Sequence, residues 1–162
     1  MAKYAIGARG LAVTAAADGT TLVDNNYHAL RVVTVNRVAR IEEVYIAGEA
    51  GASTVVRMVM RRHATNAAPG GGDTVPNPMN PISAAADSRG FISTATTDPA
   101  LAAAPSDILN LALNIFGGIV RWQAGPEEFL YIVSTATPNA QVSLSSVSGS
   151  GTITDHMIFE EM

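Results

Sequence analysis

The sequence predicts an all-β chain, an antiparallel sandwich or barrel, on three observations. Apolar and polar residues alternate with a period of two in several short stretches, the spacing that sends successive side chains to opposite faces of a strand. Turn-forming clusters of Gly, Pro, Asn and Ser recur about every ten residues through the second half, a rhythm that suits short antiparallel strands. No stretch alternates strand and helix patterns as βαβ units require.

The first predicted strand covers 30–35, where Leu30, Val32 and Thr34 alternate with Arg31, Val33 and Val35 and the β-branched content suits a pleated, part-buried surface. Residues 40–47 then lead through Gly48-Glu49-Ala50-Gly51 into 54–63, where Val56, Met58 and Met60 alternate with Arg57, Arg61 and His63. Two strands joined by a Gly-containing loop predict a hairpin.

From 64 to 107 the texture changes. This stretch holds six of the eight prolines and the triplet Gly70-Gly71-Gly72, with almost no periodic pattern. It reads as an extended loop or arm, since structureless connections beyond roughly 15 residues are uncommon in compact domains unless they have a task. Val75, Met79, Ile82, Phe91, Ile92 and Leu101 are its expected anchors along a surface, its own or a neighbour's.

Beyond it, Leu109, Leu111, Leu113 and Ile115 alternate with Asn110, Ala112 and Asn114, a strand pattern, although Ser106-Asp107 is also able to cap a helix. Gly117-Gly118 ends this element and 119–123, with Trp122, begins another strand. Residues 124–128 turn the chain into 129–134, and Ala136-Thr137-Pro138-Asn139-Ala140 turns it again. In 141–147 Val142 and Leu144 alternate with serines, 148–151 is a turn, and 152–161 is the last strand. A single sandwich domain over 1–162 accounts for the length.

Only 15% of the 162 residues are charged, against roughly 25% in an average soluble domain. One lysine, Lys3, stands beside nine arginines. Surfaces this poor in charge lack the usual protection against sticking, which suits a chain that works in contact with other subunits. The formal net charge of −4 offers no basic field for DNA or RNA. Residues 1–63 carry eight basic and five acidic groups and the remainder two and nine; this asymmetry either steers head-to-tail association or averages out when a sandwich interleaves the halves. No run approaches the roughly 18 apolar residues of a membrane span, and the start lacks a signal peptide's apolar core. With no cysteine, stability rests on packing.

The chemistry-bearing motifs do not assemble. A phosphate-binding loop needs a lysine after its glycines, and the one lysine is Lys3. Gly149-Ser150-Gly151 lacks the third glycine and the helix of a dinucleotide fingerprint, and no Gly-x-Ser-x-Gly elbow occurs. His28, His63 and His156 fall in no metal-ligand spacing. Glu127-Glu128 and Glu160-Glu161 read as solvated turn and edge charges, because neighbours on a strand face opposite ways. Arg57, Arg61 and Arg62, near Arg37 and Arg40, form an arginine-rich strand face suited to carboxylates of a neighbouring subunit or of the same chain. Trp122 and Tyr131 are expected as core or interface anchors. The expectation is a non-enzymatic protein with no cofactor and no metal.

Three segments carry a family likeness: Gly117-Gly118-Ile119-Val120-Arg121-Trp122-Gln123-Ala124-Gly125-Pro126-Glu127, the serine-rich Gln141-Val142-Ser143-Leu144-Ser145, and the ending His156-Met157-Ile158-Phe159-Glu160-Glu161. With the Pro-rich Val75-Pro76-Asn77-Pro78-Met79-Asn80-Pro81, the layout resembles the small β-sandwich decoration, or cement, proteins of tailed-bacteriophage heads. The resemblance covers the last half of the chain and 41–62, and rests on strand layout and composition. It implies a jelly-roll-like sandwich, made in the host cytoplasm and carried on the outer surface of the virion. There it would bind across joints between major capsid subunits, itself a dimer or trimer. Expected interface residues are Arg57, Arg61, Arg62, Pro76, Pro78, Met79, Phe91 and Ile92. The competing reading is a head-fibre or tail sandwich that binds a carbohydrate or host receptor.

Overall fold

The computed structural model describes residues 1–14, 27–34, 36–63, 74–92, 107–133 and 141–162, with only the backbone of Arg89, Phe91 and Ile92. Eleven strands make up most of these residues: β1 (Ala2–Val13), β2 (Tyr27–Val32), β3 (Val38–Gly48), β4 (Val55–Arg62), β5 (Asn77–Pro78), β6 (Ser88–Ile92), β7 (Asp107–Asn114), β8 (Ile119–Gln123), β9 (Leu130–Val133), β10 (Gln141–Ser148) and β11 (Gly151–Glu161). They form two antiparallel sheets. The first runs β5-β1-β11-β3-β8, with β9 also paired to β3, and the second runs β6-β2-β10-β4-β7.

With the short strands β5 and β6 set aside, the two orders are β1-β11-β3-β8 and β2-β10-β4-β7. The chain alternates between sheets in the manner of a jelly roll, in which paired Greek keys wrap one apolar interior. The fold class is therefore as expected, but one connection is not. The predicted hairpin of 40–47 with 54–63 does not exist: β3 pairs with β11, β8 and β9, while β4 lies in the other sheet between β10 and β7. The Gly-containing loop between them is a corner that carries the chain from one sheet to the other.

The interior is filled from both sheets. Tyr4, Ile6, Ala8, Leu11, Ile41, Val44, Ile46, Met157 and Phe159 come from the first, and Leu30, Val32, Val56, Met58, Met60, Val142 and Leu144 from the second. Tyr4 and Phe159, cross-strand partners, stack at 5.7 Å, and the Tyr4 hydroxyl donates to the Ala84 carbonyl at 3.1 Å. Each such large side chain contributes about 1.5–3 kcal/mol by leaving water. A polar pair also crosses this interior: His28 on β2 donates from Nδ1 to Asp155 Oδ1 on β11 at 2.6 Å, both side chains being buried.

In the first sheet two bulges set which side chains face out. Between Ala8 and Leu11 the register of β1 on β11 shifts, so that Arg9 and Gly10 together oppose Thr154, with Gly10 at φ 63°. A second shift, between Ile158 and Phe159, lets both Glu42 and Glu43 reach the outer face of β3.

The outer face of the second sheet is buried as well, at Tyr27, Ala29, Val59, Gln141, Ser143 and Ser145. This is why β10 has small serines where an open sheet would carry long polar side chains. Of the stretch 64–107, β5 pairs with β1 and β6 with β2, so the described part lies along sheet edges of its own chain. Of its expected anchors, Val75, Met79 and Ile82 are exposed and do not pack on their own chain, where Pro76 and Ala86 are buried instead. Leu101 lies outside the described residues. Residues 80–83 form a turn closed by Ser83 N–H donating to the Asn80 carbonyl at 2.9 Å, with Pro81 at the position whose φ it presets. That turn lifts Ile82 clear of the body.

Candidate functional site

The three arginines expected to act together do not all share a face. Arg57 is exposed on the outer face of the second sheet. Arg61, on the same face, is buried and donates from Nε to Asp107 Oδ1 at 2.7 Å, while Arg62, half-buried, has the opposite strand parity and sits beside Val142. In the proline-rich stretch Pro76 is buried, Pro78 is half-buried within β5, and Met79 is exposed. Phe91 and Ile92 pair through their backbones with Ala29 and His28.

The reading of Glu160-Glu161 as solvated charges is also corrected. Glu160 is buried and bonded to Arg40, and Glu161 accepts the backbone N–H groups of Asp87 and Ser88 at 3.0 and 2.7 Å. Glu160 belongs to an ion network across three strands: Lys3 Nζ donates to Glu42 Oε2 at 2.6 Å, and Arg40 Nη2 donates to Glu42 Oε1 at 2.8 Å and to Glu160. The Arg40 guanidinium also lies 4.1 Å from the Phe129 ring centre, and Phe129 meets Tyr131 edge-on at 6.4 Å. Tyr131 is thus a surface aromatic, whereas Trp122 packs against the core.

Burial pushes the Glu42 carboxyl up, but the hydrogen bonds and charges of Lys3 and Arg40 outweigh it and hold the group below its ordinary value. A depressed folded value means stabilisation that is full above the unfolded carboxyl pKa, about 4.3, and is lost as pH falls through the lower folded one. Glu42→Gln should therefore cost stability near neutrality, with the difference from the parent closing at acid pH. Urea midpoints measured from pH 7 down to pH 3 check this, and a constant difference would contradict it.

Among the described residues, the most exposed large apolar side chains inside the chain fall in two groups. Val55, Phe116 and Ile119, exposed by 65%, 63% and 65%, stand at the corner where β4 begins, β7 ends and β8 begins. Val75, Met79 and Ile82, the last 90% exposed, flank β5. Because β5 and β8 are opposite edges of the first sheet, four strand spacings of about 4.8 Å put these two edges roughly 19 Å apart.

Between those edges, on the outer face of the first sheet, lies a shallow concavity of about 410 Å³. Its floor is Ala5 and Gly7, and Arg9, Asn77, Tyr45 and His156 stand around it. The row Gly7–His156–Tyr45–Arg121 runs straight across β1, β11, β3 and β8. Gly7 is needed at its end, because a Cβ there would lie 2.5 Å from the Asp155 carbonyl oxygen. None of these groups was singled out in the sequence except His156, since the concavity is assembled from four strands distant along the chain. Among the described residues no three His, Asp or Glu side chains come together as a metal site would need.

No protein-family model matches the chain, and neither the curated proteins nor the solved structures yield a match.

Proposed function

We propose that this chain is a structural virion protein that binds the outside of a tailed-phage capsid and strengthens contacts between major capsid subunits. The observation that carries the reading is the pair of exposed apolar groups at opposite edges of one sandwich, Val55, Phe116 and Ile119 on one side and Val75, Met79 and Ile82 on the other. A cement protein must hold two neighbours at once. A sheet is stiff, so two sticky edges about 19 Å apart bridge a fixed span without the entropy loss of a flexible linker. Low surface charge works in the same direction, because charged groups are depleted from the buried centre of interfaces. Self-association into a dimer or trimer would multiply the contacts by linking several weak ones.

The test is co-sedimentation of the purified chain with shells assembled from the major head protein of the same source. The parent should bind saturably and raise the temperature at which shells rupture. Phe116→Asp with Ile119→Asp, and separately Met79→Asp with Ile82→Asp, should each lower shell affinity by at least about a hundredfold, since hot-spot contacts contribute 2 kcal/mol or more apiece. A parent chain that stays free beside such shells overturns the reading.

A further inference from the structure

We infer that the concavity on the outer face of the first sheet binds an acidic saccharide, a sugar ring carrying a carboxylate. The inference goes beyond shell binding and does not depend on it. Among the described residues, the side chains of Arg9, Tyr45, Asn77 and His156 have no hydrogen-bond or ion-pair partner, although they surround one depression. A volume of about 410 Å³ falls within the range of small-ligand sites.

Each part of the depression matches a part of such a ligand. Ala5 and Gly7 leave the sheet backbone bare as a floor on which a ring can lie, with Tyr45 in the wall one strand beyond His156. The apolar face of a sugar ring packs on an aromatic face while its hydroxyls stay at the rim. Asn77 and His156 supply both donors and acceptors for those hydroxyls. Arg9 supplies the forked donor set that takes a carboxylate through two parallel bonds.

The bulge at Arg9–Gly10 gives independent support. Gly10 adopts φ 63° and two β1 residues oppose the single Thr154, a device that re-aims a side chain at the edge of a site. Thr154 in turn is fixed, accepting from Gly10 N–H and donating to Glu49, which ties that carboxylate to Thr154. Of the charged residues at the cavity, Asp155 is buried with its carboxylate turned inward to His28, whereas Arg9 is exposed, so the complementary ligand is anionic.

The experiment is isothermal titration of the full chain with a galacturonate hexamer, its fully methyl-esterified counterpart and a hexaglutamate peptide. The galacturonate should bind one-to-one, with the ester and the peptide each weaker by at least about tenfold, the worth of one charge-assisted bond. Arg9→Gln and Tyr45→Ala should each weaken galacturonate binding by a similar factor, while the exposed position of Arg9 leaves the melting temperature of Arg9→Gln unchanged. Absence of binding at millimolar galacturonate overturns the inference. So does equal binding of the ester, equal binding of the peptide, or an Arg9→Gln variant that binds as the parent does. Because shells are absent from this experiment, its failure leaves the capsid reading standing, and failure to bind shells leaves this one.

Discussion

Asp155→Val is expected to lower the unfolding free energy by about 3–5 kcal/mol, the cost of removing one partner from a buried ionisable pair. Against total stabilities of 5–15 kcal/mol for domains of this kind, that is a large share. The size follows from the location. Asp155 faces the interior from β11, receives His28 Nδ1–H at 2.6 Å and the Ala8 backbone N–H at 3.3 Å, and lies in the middle of the first sheet. Its loss would strand the imidazole in the apolar interior beside Leu144, its cross-strand partner, with no water to replace the acceptor. His28→Leu should be comparably harmful for the converse reason. The double replacement His28→Leu with Asp155→Val should return to within about 1 kcal/mol of the parent, because apolar pairs of similar volume often match or exceed a buried ion pair. Urea unfolding gives each value, and the double-mutant cycle isolates the pairing. If the double variant falls as far as the two single losses added together, packing rather than pairing holds these strands.

That pair shows why part of the molecule was legible in the sequence and part was not. The strand at β7 was readable because its period-2 pattern, Leu109, Leu111, Leu113 and Ile115, runs unbroken and packs inward along its length. β1 went unread although Tyr4, Ile6 and Ala8 alternate properly. The bulge at Arg9–Gly10 moves the inward set from even to odd positions, to Leu11 and Val13, and a fixed-period reading loses the strand there. The bulge at Glu42–Glu43 does the same to β3 and frees two adjacent acids to face the same way, which the rule of alternating faces excludes. The false hairpin came from assuming that neighbours along the chain are neighbours in a sheet, which the crossing corners of a jelly roll violate. Glu160 looked solvated because nothing near it in sequence shows Arg40, which arrives from a strand 120 residues earlier. The concavity is hidden for the same reason: Gly7, Tyr45, Asn77 and His156 acquire meaning through register alone. Since a jelly roll carries many unrelated functions, it is these grafted surfaces and not the fold that bear on what the chain does.

Gly48→Ala should damage both the fold and the proposed shell contact, and thereby tests how the corner is held. Gly48 ends β3 directly against the β7–β8 turn, donating its N–H to the Gly118 carbonyl at 2.9 Å, while Ala50 N–H reaches the Ile115 carbonyl at 3.0 Å. A Cβ on Gly48 would overlap the Cα, C and O atoms of Ile115. Those are backbone atoms and cannot rotate aside, so the cost belongs at or above the upper end of the roughly 1–3 kcal/mol typical of overpacking. Relief requires the turn to move outward, breaking those two bonds and displacing Phe116, the residue next to Ile115. Shell affinity should fall along with the urea midpoint. Two other substitutions separate the causes. Gly51→Ala, in the same loop with no atom within 4 Å, should be close to neutral. Gly117→Ala meets no atom either but sits at φ 69°, so it should cost about 1–2 kcal/mol through backbone strain alone. A Gly48→Ala chain that is destabilised yet binds shells with the parent's affinity would take Phe116 out of the interface and leave the edge at β5 to account for binding.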